Sequence, residues 1–217
     1  KKAIKEGKNA VLEVDVIASS EDQNFNYIPK GYEVGSNYDF LHITTNNTIF
    51  GTQYKSFPTT NVPLVADMSS DIFSQEINVS DFDVIYAGAQ KNLGPAGTAL
   101  FIVKESILGN STHPGIQTYL DFKTHAEKDS MFNTPPVFSV YVSMLNLRHL
   151  IANGGVTAAA ERNQAKADAL YKEIDNNPLF KGTAAVEDRS NMNVTFVLND
   201  DSLTEEFTKM WTEAGIV

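Results

Sequence analysis

Cysteine is absent from the whole chain. That excludes disulfide frameworks, thiolate metal sites and a thiol nucleophile together. Arginine is nearly as scarce, confined to Arg148, Arg162 and Arg189. With 17 Lys and Arg against 27 Asp and Glu, a formal net charge of -10, no nucleic-acid surface is expected, because phosphate backbones demand clustered cations. No apolar run reaches the roughly 18 residues of a membrane-crossing helix and no leader peptide is evident, so a soluble, cytoplasmic protein without a membrane partner is expected. The four histidines, His42, His113, His125 and His149, are scattered without ligand spacing, and no metal site is expected. His125 sits in the polar stretch Asp121–His125, which carries no site assignment. Asn-X-Ser/Thr triplets begin at Asn46, Asn78, Asn110 and Asn193, but nothing else suggests secretion and they read as chance.

What is present is an alternating order of elements. A 42% hydrophobic, 20% charged composition over 217 residues is enough for a substantial core. Lys1 to Lys8 reads as the tail of a helix closed by Gly7, and Val11 to Val16 alternates at the strand period. Residues 24 to 38 are loop-like. Short apolar runs follow at Asp39 to Thr44, Pro63 to Asp67, Asp83 to Ala87 and Thr98 to Lys104, which predicts a mostly parallel α/β sheet covered on both faces. Val137 to Ala152 is apolar on more than one face and predicts a largely buried helix joining two bodies. Gly154-Gly155 breaks it, and a second helix is expected from about Val156 to Asn176, with Ala160, Ala167, Leu170, Tyr171 and Ile174 inward. Asn193 to Leu198 reads as a further strand. Ser202-Leu203-Thr204-Glu205 has the form of a capping box, and Leu203, Phe207, Met210, Trp211 and Ala214 make one apolar stripe expected to be core. A boundary near residue 150 would divide a large domain, 1–150, from part of a smaller α+β domain, 151–217.

Two of the apolar runs end in reactive groups. Asp67 follows Val62–Ala66, and Lys91 follows the strand-like run inside Tyr86-Ala87-Gly88-Ala89-Gln90-Lys91-Asn92-Leu93-Gly94-Pro95-Ala96-Gly97. Parallel strands present their carboxyl ends at one edge, so the carboxylate and the amine should face a common crevice. A lysine losing solvation there favours the neutral amine that attacks a carbonyl to make a Schiff base. An aspartate at one end and an amine at the other suit pyridoxal phosphate, whose ring nitrogen needs a carboxylate and whose aldehyde needs an amine. Alternatives stay open on the residues alone. Strand-end lysines commonly carry their charge to water, and Asp67 can cap its own turn through Ser69 or Ser70. Thr48 can serve a turn, and Asn133-Thr134 can cap a helix starting near Val137.

Taken with Asp67-Met68-Ser69-Ser70 and Phe132-Asn133-Thr134-Pro135-Pro136, the segment Val84 to Gly97 closely resembles the phosphoserine aminotransferases, fold-type-I enzymes dependent on pyridoxal phosphate. The resemblance runs in order through nearly the whole chain. It implies that Lys91 holds the cofactor aldehyde as an imine, Asp67 pairs with the pyridinium nitrogen, Gln90 contacts the cofactor phosphate and Thr48 bonds the cofactor near its ring oxygen. Asn133 and Thr134 match a pair that reaches the phosphate of the cofactor in the other subunit, implying a homodimer with shared active sites. The implied reaction passes an amino group between phosphoserine and 2-oxoglutarate, giving 3-phosphooxypyruvate and glutamate, in serine biosynthesis. Selectivity against the phosphorylated hydroxythreonine of pyridoxine biosynthesis stays open.

Family members are longer. The resemblance implies that a Gly-rich phosphate-binding turn, substrate-binding His and Arg residues and a ring-stacking aromatic precede Lys1, and that a Gly-His-Arg segment follows Val217. The 217-residue chain alone is therefore expected to transaminate poorly or not at all. Two rivals are another fold-type-I aminotransferase and a non-catalytic scaffold retaining the fold. A cysteine desulfurase is ruled out by the missing cysteine, and the retained Lys91, Asp67 and Gln90 argue against a scaffold.

Overall fold

The computed structural model describes residues 2–10, 12–109 and 115–216. Helix α1 spans Lys2–Asn9. It runs through Gly7 instead of closing there, because Val14 packs so near that a β-carbon on Gly7 would lie 2.8 Å from its Cγ2. The alternation from Val11 to Val16 gives no strand. Val11 lies outside the described residues, and 12–20 has no regular structure. Leu12 and Val16 stay exposed, and an alternating pattern without a neighbouring strand to bond has nothing to hold it extended.

The central sheet contains β1 (Leu41–Thr44), β4 (Leu64–Asp67), β5 (Val84–Gly88) and β6 (Ala99–Val103), in the order β1-β4-β5-β6. The first three are mutually parallel and β6 is antiparallel to β5. Between β1 and β4 lies a small hairpin, β2 (Asn46–Asn47) with β3 (Thr52–Gln53). One face of the sheet is the core. Leu41, Ile43, Leu64, Ala66, Ile85 and Ala87 are buried there, under Ile17, Tyr32, Val34, Tyr54 and Phe57 from the preceding and crossing loops. Leu64 is 2% exposed. Truncating it to alanine leaves a cavity as well as lost burial and should cost about 2 to 5 kcal/mol, read as a lowered midpoint in urea unfolding.

The opposite face differs from the two-sided cover that the apolar runs predict. It carries a file of rings, His42, Tyr86 and Phe101, continuing to Phe122, with neighbouring centroids 5.3 to 6.2 Å apart. Phe101 remains exposed. These rings cover one another, and Phe122, the first residue of a short helix, closes the file. On β6 the residues that turn to the core, Leu100 and Ile102, are only partly buried.

After the short helix α2 (Phe122–Ala126), α3 (Val137–Ala152) and α4 (Gly155–Asn176) have the predicted lengths. Gly154 and Gly155 both take positive φ, 89° and 68°, which a residue with a β-carbon adopts at a cost. The burial of α3 is the reverse of that expected. Its only buried residues are Ser139 and Ser143, whereas Val137 and Phe138 are 67% and 74% exposed. Its narrow polar strip is the packed one, for a reason that lies in the loop it touches. On α4 the inward residues are Ala159, Ala167, Tyr171 and Ile174, while Leu170 faces out.

Strands β7 (Phe180–Gly182) and β8 (Phe196–Leu198) form an antiparallel pair beneath α4, where Ala167, Tyr171 and Ile174 pack with Phe180, Val194 and Phe196. Arg189 fastens this second cluster. Its guanidinium donates to both Asp175 oxygens, at 2.6 and 2.7 Å, and lies 4.4 Å from the Tyr171 ring centre. Helix α5 spans Thr204–Glu213. The expected capping box is replaced by Asp200, whose Oδ1 accepts from the Ser202 amide at 2.9 Å and its hydroxyl at 2.7 Å, so that Ser202 is occupied before α5 begins. The α5 stripe is not core either: no residue of α5 is buried, and only Phe207 makes ring contacts with Phe180 and Trp211.

Candidate active site

Asp67 ends β4 and Lys91 lies three residues beyond the end of β5. Because β4 and β5 run parallel, with Asp67 paired to Tyr86, both residues belong to the carboxyl edge of the sheet. Two short bonds tie the strand ends together there. The Asp67 carboxylate accepts from the Ser69 amide at 2.9 Å, and the Ser69 hydroxyl accepts from the Gly88 amide at 3.1 Å. The turn role open to Asp67 is thus fulfilled, and it fixes the carboxylate at the strand end.

Lys91 is exposed, so the desolvation expected for it is not supplied by the described residues. Its Nζ donates to Thr48 Oγ1 at 2.8 Å. Thr48 stands in the turn of the β2–β3 hairpin, which begins just after β1, and the Thr45 amide bonds the Asp67 carbonyl at 3.0 Å. Three predicted residues, Asp67, Lys91 and Thr48, therefore come together at one edge. Gln90 is beside them. A β-carbon on Gly88 would lie 2.6 Å from Gln90 Oε1, so the glycine is what lets that side chain sit over the strand end.

Asn133 and Thr134 are not part of this cluster. They are exposed in the bend before α3, and no hydrogen bond joins them to Lys91 or Thr48 among the described residues. Nor do they cap α3, whose N-cap is Pro136 with no side-chain bond. The α3 polar strip instead grips the lysine loop. Ser139 Oγ donates to the Ala96 carbonyl at 2.8 Å and Asn146 Nδ2 to the Leu93 carbonyl at 2.8 Å. At Gly94 a β-carbon would stand 3.2 Å from the Ser143 Cα, so glycine is needed for this approach. Ser139 and Asn146 suit this face because the loop offers bare carbonyls, which must be paired when water leaves, whereas Ser143 is small enough to let Gly94 approach and pairs with no carbonyl.

Sequence reasoning missed the groups behind Asp67. His42 Nε2 lies 3.0 Å from the Tyr86 hydroxyl. Burial lowers the His42 pKa, opposed by the Asp67 charge. Burial and the same carboxylate push the Tyr86 phenol up to about 12. The period-2 parity of β1 and β5 was the available signal, since it sends His42 and Tyr86 to the face opposite the core. Asp71 is a second buried carboxylate. Its Oδ1 accepts from Thr45 Oγ1 at 2.6 Å and its Oδ2 from Gln53 Nε2 at 3.4 Å. Burial raises its pKa, and those two donors partly offset the rise. Among the described residues no cluster of His, Asp and Glu could hold a metal ion, and no helix is long and apolar enough to cross a membrane.

An accessible amine, a carboxylate at the adjoining strand end, a hydroxyl on the amine and a small-residue floor at Gly88 and Ala89 fit the donor set that pyridoxal phosphate requires. Comparison with known proteins gives the family. The family model described as aminotransferase class-V matches residues 3–217. The phosphoserine aminotransferase of Flavobacterium johnsoniae is 58% identical over 214 residues, which cover 99% of this chain and 60% of that protein. The solved phosphoserine aminotransferase from Bacillus circulans subsp. alkalophilus superposes with a TM-score of 0.95 at 39% identity, covering 100% of this chain and 60% of that one. A pyridoxal-phosphate-bound phosphoserine aminotransferase from Trichomonas vaginalis gives 0.92 at 28% identity, covering 100% and 63%. The chain spans about 60% of the length of the curated relatives it matches.

Proposed function

Because this chain belongs to the class-V aminotransferase family, we propose that the full-length protein is a phosphoserine transaminase, exchanging the amino group of glutamate with the keto group of 3-phosphooxypyruvate. The carrying observation is the Lys91 amine held by Thr48 at the strand edge that also ends in Asp67. Pyridoxal phosphate, when bound, supplies an aldehyde for amine attachment and a ring that drains electrons from the substrate's α-carbon. Lys91 would hold that aldehyde and, as a free amine, would move the substrate's α-proton as a general base, a role typically worth about 10² to 10⁴ in rate. Asp67 would pair with the ring nitrogen and keep it protonated. Thr48 would orient the amine, and Gln90 would bind the phosphate.

Asn133 and Thr134 serve the partner's cofactor phosphate in a homodimer. Their exposure, alongside exposed Met131, Phe132, Val137 and Phe138, supports that reading. The cofactor-bearing part extends to about residue 150 and a smaller part follows. The two separate apolar clusters support this division. A cytoplasmic setting belongs to the same proposal.

The test is glutamate formation by the full-length protein from 2-oxoglutarate with O-phosphoserine, alanine or aspartate as donor. Phosphoserine should be strongly preferred. Equal rates with all three donors would point to a different aminotransferase, and no transfer from any of them to a non-catalytic relative.

A further inference from the structure

One group of buried side chains lies just behind this edge and has no part in the chemistry above. Asn46 lies 144 positions from Ser190 and 147 from Asn193, yet the three side chains form one polar cluster. Asn46 is 2% exposed. Its Nδ2 donates to Asn193 Oδ1 at 2.8 Å and to Ser70 Oγ at 2.9 Å, and its Oδ1 accepts from Ser190 Oγ at 2.5 Å. The Ser70 hydroxyl in turn donates to the Asn46 carbonyl at 3.0 Å. Asn193 Nδ2 then donates to the Thr48 carbonyl at 2.8 Å and lies 3.4 Å from that of Asn47. The turn is held from its far side too. The Ser190 amide bonds the Gly51 carbonyl at 2.8 Å, and Thr195 Oγ1 donates to the Phe50 carbonyl at 3.2 Å. Gly51, at φ 70°, has no room for a β-carbon against Thr195.

We infer that Asn193, held by Asn46, is a positioning residue that clasps the β2–β3 turn and thereby aims the Thr48 hydroxyl at the Lys91 amine. This rests on the reading of Lys91 as the cofactor lysine. The amides are fully used: Asn46 spends both its donor and its acceptor on neighbours, and its Nδ2 holds the Asn193 Oδ1, which turns the Asn193 Nδ2 toward Thr48. An apolar pair of the same volume would fill the space but leave the Thr48 carbonyl without its partner.

The test is the reactivity of Lys91 in the full-length protein freed of cofactor. Brief acetylation with acetic anhydride, read by peptide mass analysis, gives the Lys91 rate relative to Lys104, whose ammonium pairs with Asp83 at 3.1 Å far along β6. Asn193→Ala and Thr48→Val should each raise that ratio about fivefold, as expected for release of one hydrogen bond. The double variant should go no further, because both changes remove the same restraint. Asn193→Asp, which keeps an acceptor for Asn46 but replaces the donor to Thr48 with a charged acceptor that the carbonyl repels, should also raise the ratio and guards against a variant that fails to fold. A folded Asn193→Asp protein with the wild-type ratio would overturn the clasp, as would additive effects in the double variant. Wild-type protein that fixes pyridoxal phosphate under borohydride at a lysine other than Lys91 would instead defeat the functional reading, leaving the acetylation result to judge the clasp alone.

Discussion

Full-length protein carrying Lys91→Ala will neither retain pyridoxal phosphate through borohydride reduction nor transfer an amino group at a measurable rate. The loss is larger than that of a general base alone, itself about 10² to 10⁴, because the same nitrogen has two duties. In the proposed reaction it would anchor the cofactor and move the proton. The structure also indicates that the change is local. Lys91 is exposed, its side chain bonds Thr48 alone among the described residues, and the loop around it is held by Ser139 and Asn146 through backbone carbonyls that alanine retains. Thermal unfolding should therefore stay close to wild type while activity disappears. Lys91→Arg should be equally inactive, since a guanidinium keeps the charge but offers no nucleophilic amine. Mass analysis showing the cofactor still fixed to the alanine variant, with turnover intact, would remove Lys91 from the mechanism.

Asp67→Asn is the second large effect. Asparagine keeps an oxygen to accept from the Ser69 amide, so the turn that closes β4 survives. What is lost is the negative charge that the proposed site places against the ring nitrogen. Removing a preorganised electrostatic partner of a developing charge commonly costs about 10² to 10³ in kcat, and steady-state kinetics on the full-length protein should show a fall at least that large with little change in unfolding midpoint. The neighbouring groups give an independent reading. The carboxylate opposes the burial that lowers the His42 pKa and adds to the burial that raises that of Tyr86. Neutralising it must therefore move both downward, His42 further below its ordinary value and Tyr86 below about 12. NMR titration of the imidazole would show the first shift. A variant with wild-type kcat would mean that Asp67 serves only its turn.

Much of this arrangement could be read from the residues. The apolar runs before Asp67 and Lys91 place both at one sheet edge, because a short buried run of that kind has few other homes than a parallel strand. The lengths of α3 and α4 follow from Pro136 and the two glycines. What failed were judgements about neighbours. The hydrophobic side chains of α3 suggest burial, but the loop at 93–97 presents carbonyls, and Ser139 and Asn146 answer them. Val11 to Val16 has strand alternation without a strand to pair with. Ser202 satisfies a capping pattern, yet Asp200 stands two residues nearer and takes its amide first. Asn193 was invisible for another reason: its contacts with Asn47 and Thr48 cross 146 and 145 positions, and no local pattern reports them.

That span has a consequence for the order in which the protein assembles. The bond from Ser69 to Gly88 closes a segment of 19 residues, whereas Asn46 and Asn193 close one of 147. Loop-closure entropy grows with the logarithm of length, so these nearly three doublings add roughly 1.8 kcal/mol to the cost of meeting. The β4–β5 edge that leads into Lys91 can thus organise from sequence-local encounters, while the amide clasp over Thr48 waits for the distant half to arrive. A chain caught midway already carries its amine beside a formed sheet edge, but with nothing yet to aim it.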